Sequence, residues 1–199
     1  RNDNRVDLVF AVTEGGLTEV ERISLVGNRA FSENRLRQVL GTKEAGILRV
    51  LVGRDTFVAD RIAFDRQLLT DFYNSRGYPD FRIQNVDVAL TRERVAYLIT
   101  FNVEEGQQFH FADISVTSEI PEADAAEYER VVRLRPGAVY SPALIERDIA
   151  RIERLALRRG VNFLSVEPRI TRNDRDLTLN VEFAMVRGER IFVERIDIE

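Results

Sequence analysis

Catalysis needs nucleophiles, acids, bases or ligands held at a working spacing, and this sequence has few such groupings. Its one histidine, His110, stands between Phe109 and Phe111 in a strand-like stretch. A single imidazole without an acidic or thiol cluster beside it reads as a structural or surface residue. Acids are plentiful, but none fall at the spacing of a calcium loop, and no cysteine supplies a thiolate. Neither a G-x-x-x-x-G-K-[ST] phosphate loop nor a G-x-S-x-G nucleophile turn occurs, and Glu14-Gly15-Gly16 reads as a turn rather than a phosphate cradle. The expectation is a protein that is not an enzyme and uses no cofactor or metal. The formal net charge is −4, with acids and bases interspersed and no basic stripe. That pattern argues against nucleic acid as a partner.

Main-chain groups are the better candidates for chemistry. The unpaired N–H and C=O groups of an edge strand can template an extended peptide. Pro168 lies inside the strand-like run 163–170, and proline is confined to edges, strand starts or bulges, so that run reads as an edge. The corresponding run 81–90 reads as an edge without a blocking proline. Its alternation slips from Phe81 and Ile83 to Val86, Val88 and Leu90, which predicts a bulge near Gln84-Asn85. The candidate strand-binding residues are Arg82, Ile83, Gln84, Asn85, Val86, Asp87, Val88, Ala89 and Leu90. The competing expectation is an ordinary edge, guarded by Arg82, Asp87 and solvent. A second candidate is the apolar run Ile47, Leu48, Val50, Leu51 and Val52, interrupted by Arg49. It packs on its own module or forms a contact surface for a partner.

The elements that position these groups are legible through an internal repeat. Phe10 to Gly15, Phe101 to Gly106 and Phe183 to Gly188 share one spacing, and each leads to Ile-x-aliphatic at Ile23, Ile114 and Ile196. This is strand, glycine turn, strand. Arg76-Gly77 and Arg159-Gly160 each end a helical stretch. Between these landmarks, the first unit reads as a strand over 20–26, a short helix capped by Ser32, a helix over 58–75, and strands over 81–90 and 95–103. The second reads as a strand over 109–116, a helix over 122–132, a helix opened by Ser141-Pro142, and strands over 163–170 and 177–185. The fold class is α+β: tandem βααββ modules, each with two helices on one face of a three-stranded mixed sheet. The modules span 18–107 and 108–189. Residues 1–17 read as the closing strand of a preceding module and 190–199 as the first strand of a following one. Adjacent modules are expected to touch, in an orientation that is restrained but not fixed. Hydrophobic residues at 44% support a packed core, and no apolar run reaches the ~20 residues that cross a bilayer.

Three stretches carry a resemblance. Ile23-Ser24-Leu25-Val26-Gly27-Asn28-Arg29-Ala30-Phe31, Phe72-Tyr73-Asn74-Ser75-Arg76-Gly77-Tyr78 and Val103-Glu104-Glu105-Gly106 resemble the opening strand, second-helix end and closing strand of polypeptide-transport-associated (POTRA) modules. The apolar connection 41–57 is similar to an insertion in the third module of the BamA family of outer-membrane β-barrel assembly factors. The second unit departs from the pattern, with Thr117-Ser118 for Gly27-Asn28 and Gly160-Val161 for Gly77-Tyr78. The resemblance implies third and fourth modules of a periplasmic scaffold in a Gram-negative bacterium. Its implied partners are unfolded outer-membrane proteins, accessory lipoproteins, neighbouring modules and a C-terminal membrane barrel, with client strands bound by β-augmentation. Two alternatives stay open: a spacer arm that binds no client, or a segment of a related secretion or autotransporter-assembly transporter.

Overall fold

The structure, a computed structural model, describes residues 19–43, 55–91 and 96–188. The run Ile47–Val52, residue Val95 and the two terminal segments lie outside the described residues. The first unit contains β1 (Glu19–Val26), α1 (Glu33–Val39), α2 (Asp55–Asn74), β2 (Arg82–Leu90) and β3 (Ala96–Glu104). The second contains β4 (His110–Ser118), α3 (Ala125–Glu129), α4 (Pro142–Arg158), β5 (Leu164–Asn173) and β6 (Thr178–Arg187). The strand orders are β1-β3-β2 and β4-β6-β5. In both sheets the opening strand pairs parallel to the centre and the other outer strand pairs antiparallel to it. The βααββ order and the mixed three-stranded sheets are therefore those expected, and β2 and β5 are edges.

β3 buries alternate residues from Ile99 to Val103, as one covered face requires, and β6 does so from Leu179 to Phe183, after which Ala184 and Met185 are buried as well. Ile99, Phe101 and Val103 of β3 pack with Ile23, Leu36, Leu69 and Tyr73. Val181 and Phe183 of β6 pack with Phe111, Tyr128, Ile145 and Ile152. Gly27 turns the chain out of β1 at φ +96, where a Cβ would stand 2.1 Å from the Val103 carbonyl oxygen. Both the dihedral and the space exclude a side chain there.

One acid per module does unexpected structural work. Asp65 and Asp148 stand twelve residues before Gly77 and Gly160, and each is 1% exposed. Asp65 accepts from the backbone N–H groups of Gly41 and Thr42. Asp148 accepts from those of Arg133 and Leu134 and pairs with Arg151. Each carboxylate thus satisfies two donors of the connection that packs against its long helix.

Local boundaries differ from expectation for identifiable reasons. Helix α3 is shorter than 122–132, because the Asp124 side chain accepts from Ala126 N–H and caps the helix there. Ser32 caps α1 as expected, accepting from Arg35 N–H. Ser141 is the N-cap of α4, but its side chain makes no capping bond. Leu177 is not a strand residue. The Asn173 side chain accepts from Arg175 and Asp176 N–H, tightening the β5–β6 turn, and Leu177 leaves it at φ 53.

Candidate functional site

Strand β2 departs from β3 in register between Ile83 and Asn85, at the slip in its hydrophobic alternation. Beyond this bulge the ladder is regular, with Val86 opposite Phe101, Val88 opposite Ile99 and Leu90 opposite Tyr97. Its phase is set where Thr91 N–H donates to the Ala96 carbonyl at 2.8 Å. Peptide groups of an antiparallel pair point alternately toward and away from the partner. Counting back from Thr91, those of Ala89, Asp87 and Asn85 point toward β3. Those of Val86, Val88 and Leu90 point away, each offering an N–H and a C=O. Among the described residues, none occupies these groups.

The nine candidate residues therefore divide. Arg82 forms an ion pair with Glu104 at 2.7 Å, and Gln84 Nε2 donates to the same carboxylate at 2.9 Å. The Arg82 hydrogen bond, followed by that of Gln84, holds the Glu104 carboxyl below its usual range. The Ile83 carbonyl accepts from Arg66 of α2 at 3.4 Å, so the helix partly caps that end of the edge. Asn85 Nδ2 donates to Asp87, which also accepts from Asn102 at 2.8 Å, forming a polar cross-strand group. Open backbone groups thus lie at Val86, Val88 and Leu90. Their side chains share one face, partly buried at Val86 but 41% exposed at Val88 and 56% at Leu90. This combination offers main-chain pairing beside an apolar shelf.

The corresponding edge of the second module is interrupted by its sequence. Gly188 N–H donates to the Phe163 carbonyl at 2.7 Å, and β5 then pairs with β6 without a register shift. The same alternation points the peptide groups of Leu164, Val166, Pro168, Ile170 and Arg172 outward. Pro168 has no N–H, so the middle donor of this edge is missing. The other outer strand, β4, is partly covered by the segment before α4. Phe111 N–H donates to the Ala138 carbonyl, and Tyr140 N–H donates to that of Phe109.

Among the described residues, the histidine and a buried acid serve structural contacts. His110 acts through its backbone, donating to the Leu177 carbonyl at 3.1 Å. Among the described residues no group of three or more His, Cys, Asp or Glu could hold a metal ion. Glu105 is buried, and its carboxylate accepts from the Tyr73 hydroxyl at 2.7 Å and from Ala30 N–H at 3.0 Å. Burial, and then this bond to Glu105, push the Tyr73 hydroxyl far above the ordinary tyrosine range. This cluster fastens α2 and the β1–α1 turn to the end of β3.

The chain has relatives in sequence and in fold. The family model described as "POTRA: Surface antigen variable number repeat" matches residues 18–106 and 109–184. The outer membrane protein assembly factor BamA of Neisseria meningitidis is 26% identical over 195 residues, covering 98% of this chain and 24% of that protein. A putative outer membrane protein assembly factor of Treponema pallidum is 29% identical over 196 residues, covering 96% and 23%. The chain thus spans about a quarter of the length of these curated relatives. The crystal structure of Haemophilus influenzae BamA POTRA3-5 superposes with a TM-score of 0.71 at 20% identity, covering 90% of this chain and 70% of that one. The likeness of that structure extends to the fold.

Proposed function

The chain belongs to the POTRA family, and from that premise we propose that it is a periplasmic receiving surface of an outer-membrane protein assembly factor. Its task on this reading is to hold segments of unfolded outer-membrane proteins, as a scaffold rather than a catalyst. The modules 18–107 and 108–189 form part of a longer arm that leads to a membrane barrel, and accessory lipoproteins dock along it. The observation that supports client reception is the outward row of backbone groups at Val86, Val88 and Leu90, with its apolar shelf. Recognition through main-chain hydrogen bonds tolerates many sequences, which suits a receptor for varied β-strands.

The test is proline substitution placed by ladder phase. Val88→Pro removes an outward donor without removing a hydrogen bond to β3. Binding of an unfolded outer-membrane β-barrel protein is expected to weaken about tenfold, the equivalent of ~1.4 kcal/mol for a lost edge bond. Asp87→Pro serves as the contrast, because its N–H faces β3 and its loss disrupts the module itself. If folded Val88→Pro binds client with unchanged affinity, the edge reading fails. A spacer arm without client contact is the rival, and the direct bonding between modules favours it. That reading predicts no binding by the unaltered chain.

A further inference from the structure

The junction between the modules contains a second kind of contact, remote in sequence from the linker. Near the linker, Phe109 N–H donates to the Gly77 carbonyl at 2.7 Å, and Gln108 Nε2 donates to the Arg76 carbonyl at 3.0 Å. Gly77, at φ +92, lies so close to the second module that a Cβ would stand 2.7 Å from Val139 Cγ1. These contacts cluster around one short stretch of chain, so by themselves they describe a pivot. A pivot leaves rotation free until something away from its axis is tied.

Arg172, at the far end of β5, supplies that tie. Its Nη1 and Nη2 donate to the two carboxylate oxygens of Asp80 at 2.6 and 2.5 Å. Asp80 lies in the turn between α2 and β2 of the first module, two residues before the candidate edge strand. The guanidinium carbon also stands 4.3 Å from the centroid of the Phe109 ring, and Asp174 accepts from Nε. Phe109 is 0% exposed, yet it belongs to neither module's core cluster. It is a buried aromatic of the junction, with Arg172 as its lid.

An isolated surface ion pair contributes little, because two flexible side chains must be ordered in water. Arg172 differs in three respects. The pairing is two-pronged, the ring beneath fixes the guanidinium plane, and Asp174 holds its remaining edge. Its backbone is set by the tight β5–β6 turn, whose Leu177 carbonyl accepts from His110 N–H beside Phe109. The cation is therefore positioned before Asp80 meets it. We infer that Asp80 and Arg172 form an inter-module clamp that makes the two modules one rigid body and fixes the direction of the β2 edge relative to the second module. The clamp requires no bound client, so it stands or falls apart from the strand-receiving role.

The experiment measures residual dipolar couplings on the whole 199-residue chain. In the unaltered protein, couplings from both modules fit a single alignment tensor. In Arg172→Gln and in Asp80→Asn, each module's couplings still fit its own structure, but the shared tensor is lost and two are needed. Two results overturn the inference: two tensors in the unaltered protein, or one unchanged tensor in Arg172→Gln. Loss of fit within a module marks a folding defect. Asp80→Asn, which keeps shape but removes the charge and one of the two acceptors, then decides the matter by the same comparison.

Discussion

Asp65 and Asp148 show how much depends on single side chains in modules this small. Each is buried on its long helix, and each accepts two backbone N–H groups from the connection packed against it, one of them in a buried residue. Replacing Asp148 with Ala leaves those donors and Arg151 unsatisfied. The second module is expected to lose about 3 kcal/mol, read as a lower urea midpoint for its transition, while Asp148→Asn retains part of that stability. An unchanged midpoint in Asp148→Ala would remove the bridging role. In the sequence these acids are hidden among many solvated ones. Their equal distance from Gly77 and Gly160 is the signal that identifies them, once that repeat frame is used to compare charges as well as apolar residues. Phe109 is a similar case. Its apolar type announces burial, but only the tertiary arrangement reveals that it is buried between modules beneath Arg172.

At the scale of strands, the important property is the direction in which each peptide group points. The alternation of β3 and β6 made both sheets legible in the sequence, and Pro168 marked β5 as an edge. The slip between Ile83 and Val86 marked the bulge. Ladder phase could not be obtained this way, because it depends on where the β2–β3 and β5–β6 turns close. With phase known, Pro168 stands at an outward position. The proline is therefore compatible with the sheet and obstructs its edge at the same time. Pro168→Val is expected to restore the missing donor and create a second strand-receiving edge. Calorimetric titration with a client β-strand peptide would then show binding at β5 tightened about tenfold, the counterpart of the loss expected in Val88→Pro; unchanged binding would show that Pro168 is not what interrupts β5. The turn before β6 was less legible, since Leu177 has the composition of a strand and the left-handed conformation of a turn.

At the scale of the molecule, the repeat is the feature best recorded in sequence. Glycine spacing predicts the two βααββ units, and the family model matches residues 18–106 and 109–184. The relation between units was only partly foreseen. Contact was expected from the short linker, whereas the Asp80–Arg172 clamp joins residues 92 apart that no local pattern associates. Modules held in this way present β2 as a fixed edge rather than one on a loose tether, which lowers the ordering cost of receiving an extended chain.

The central claim, that β2 receives client strands through its outward groups, has a phase-specific test. Hydrogen exchange is followed residue by residue with and without an unfolded outer-membrane β-barrel protein. Bound client is expected to slow exchange at Val86, Val88 and Leu90 by about tenfold or more, the factor equivalent to ~1.4 kcal/mol of added protection. Asp87 and Ala89, already bonded to β3, change little. Client binding that leaves Val86, Val88 and Leu90 exchanging at their free rates would contradict it.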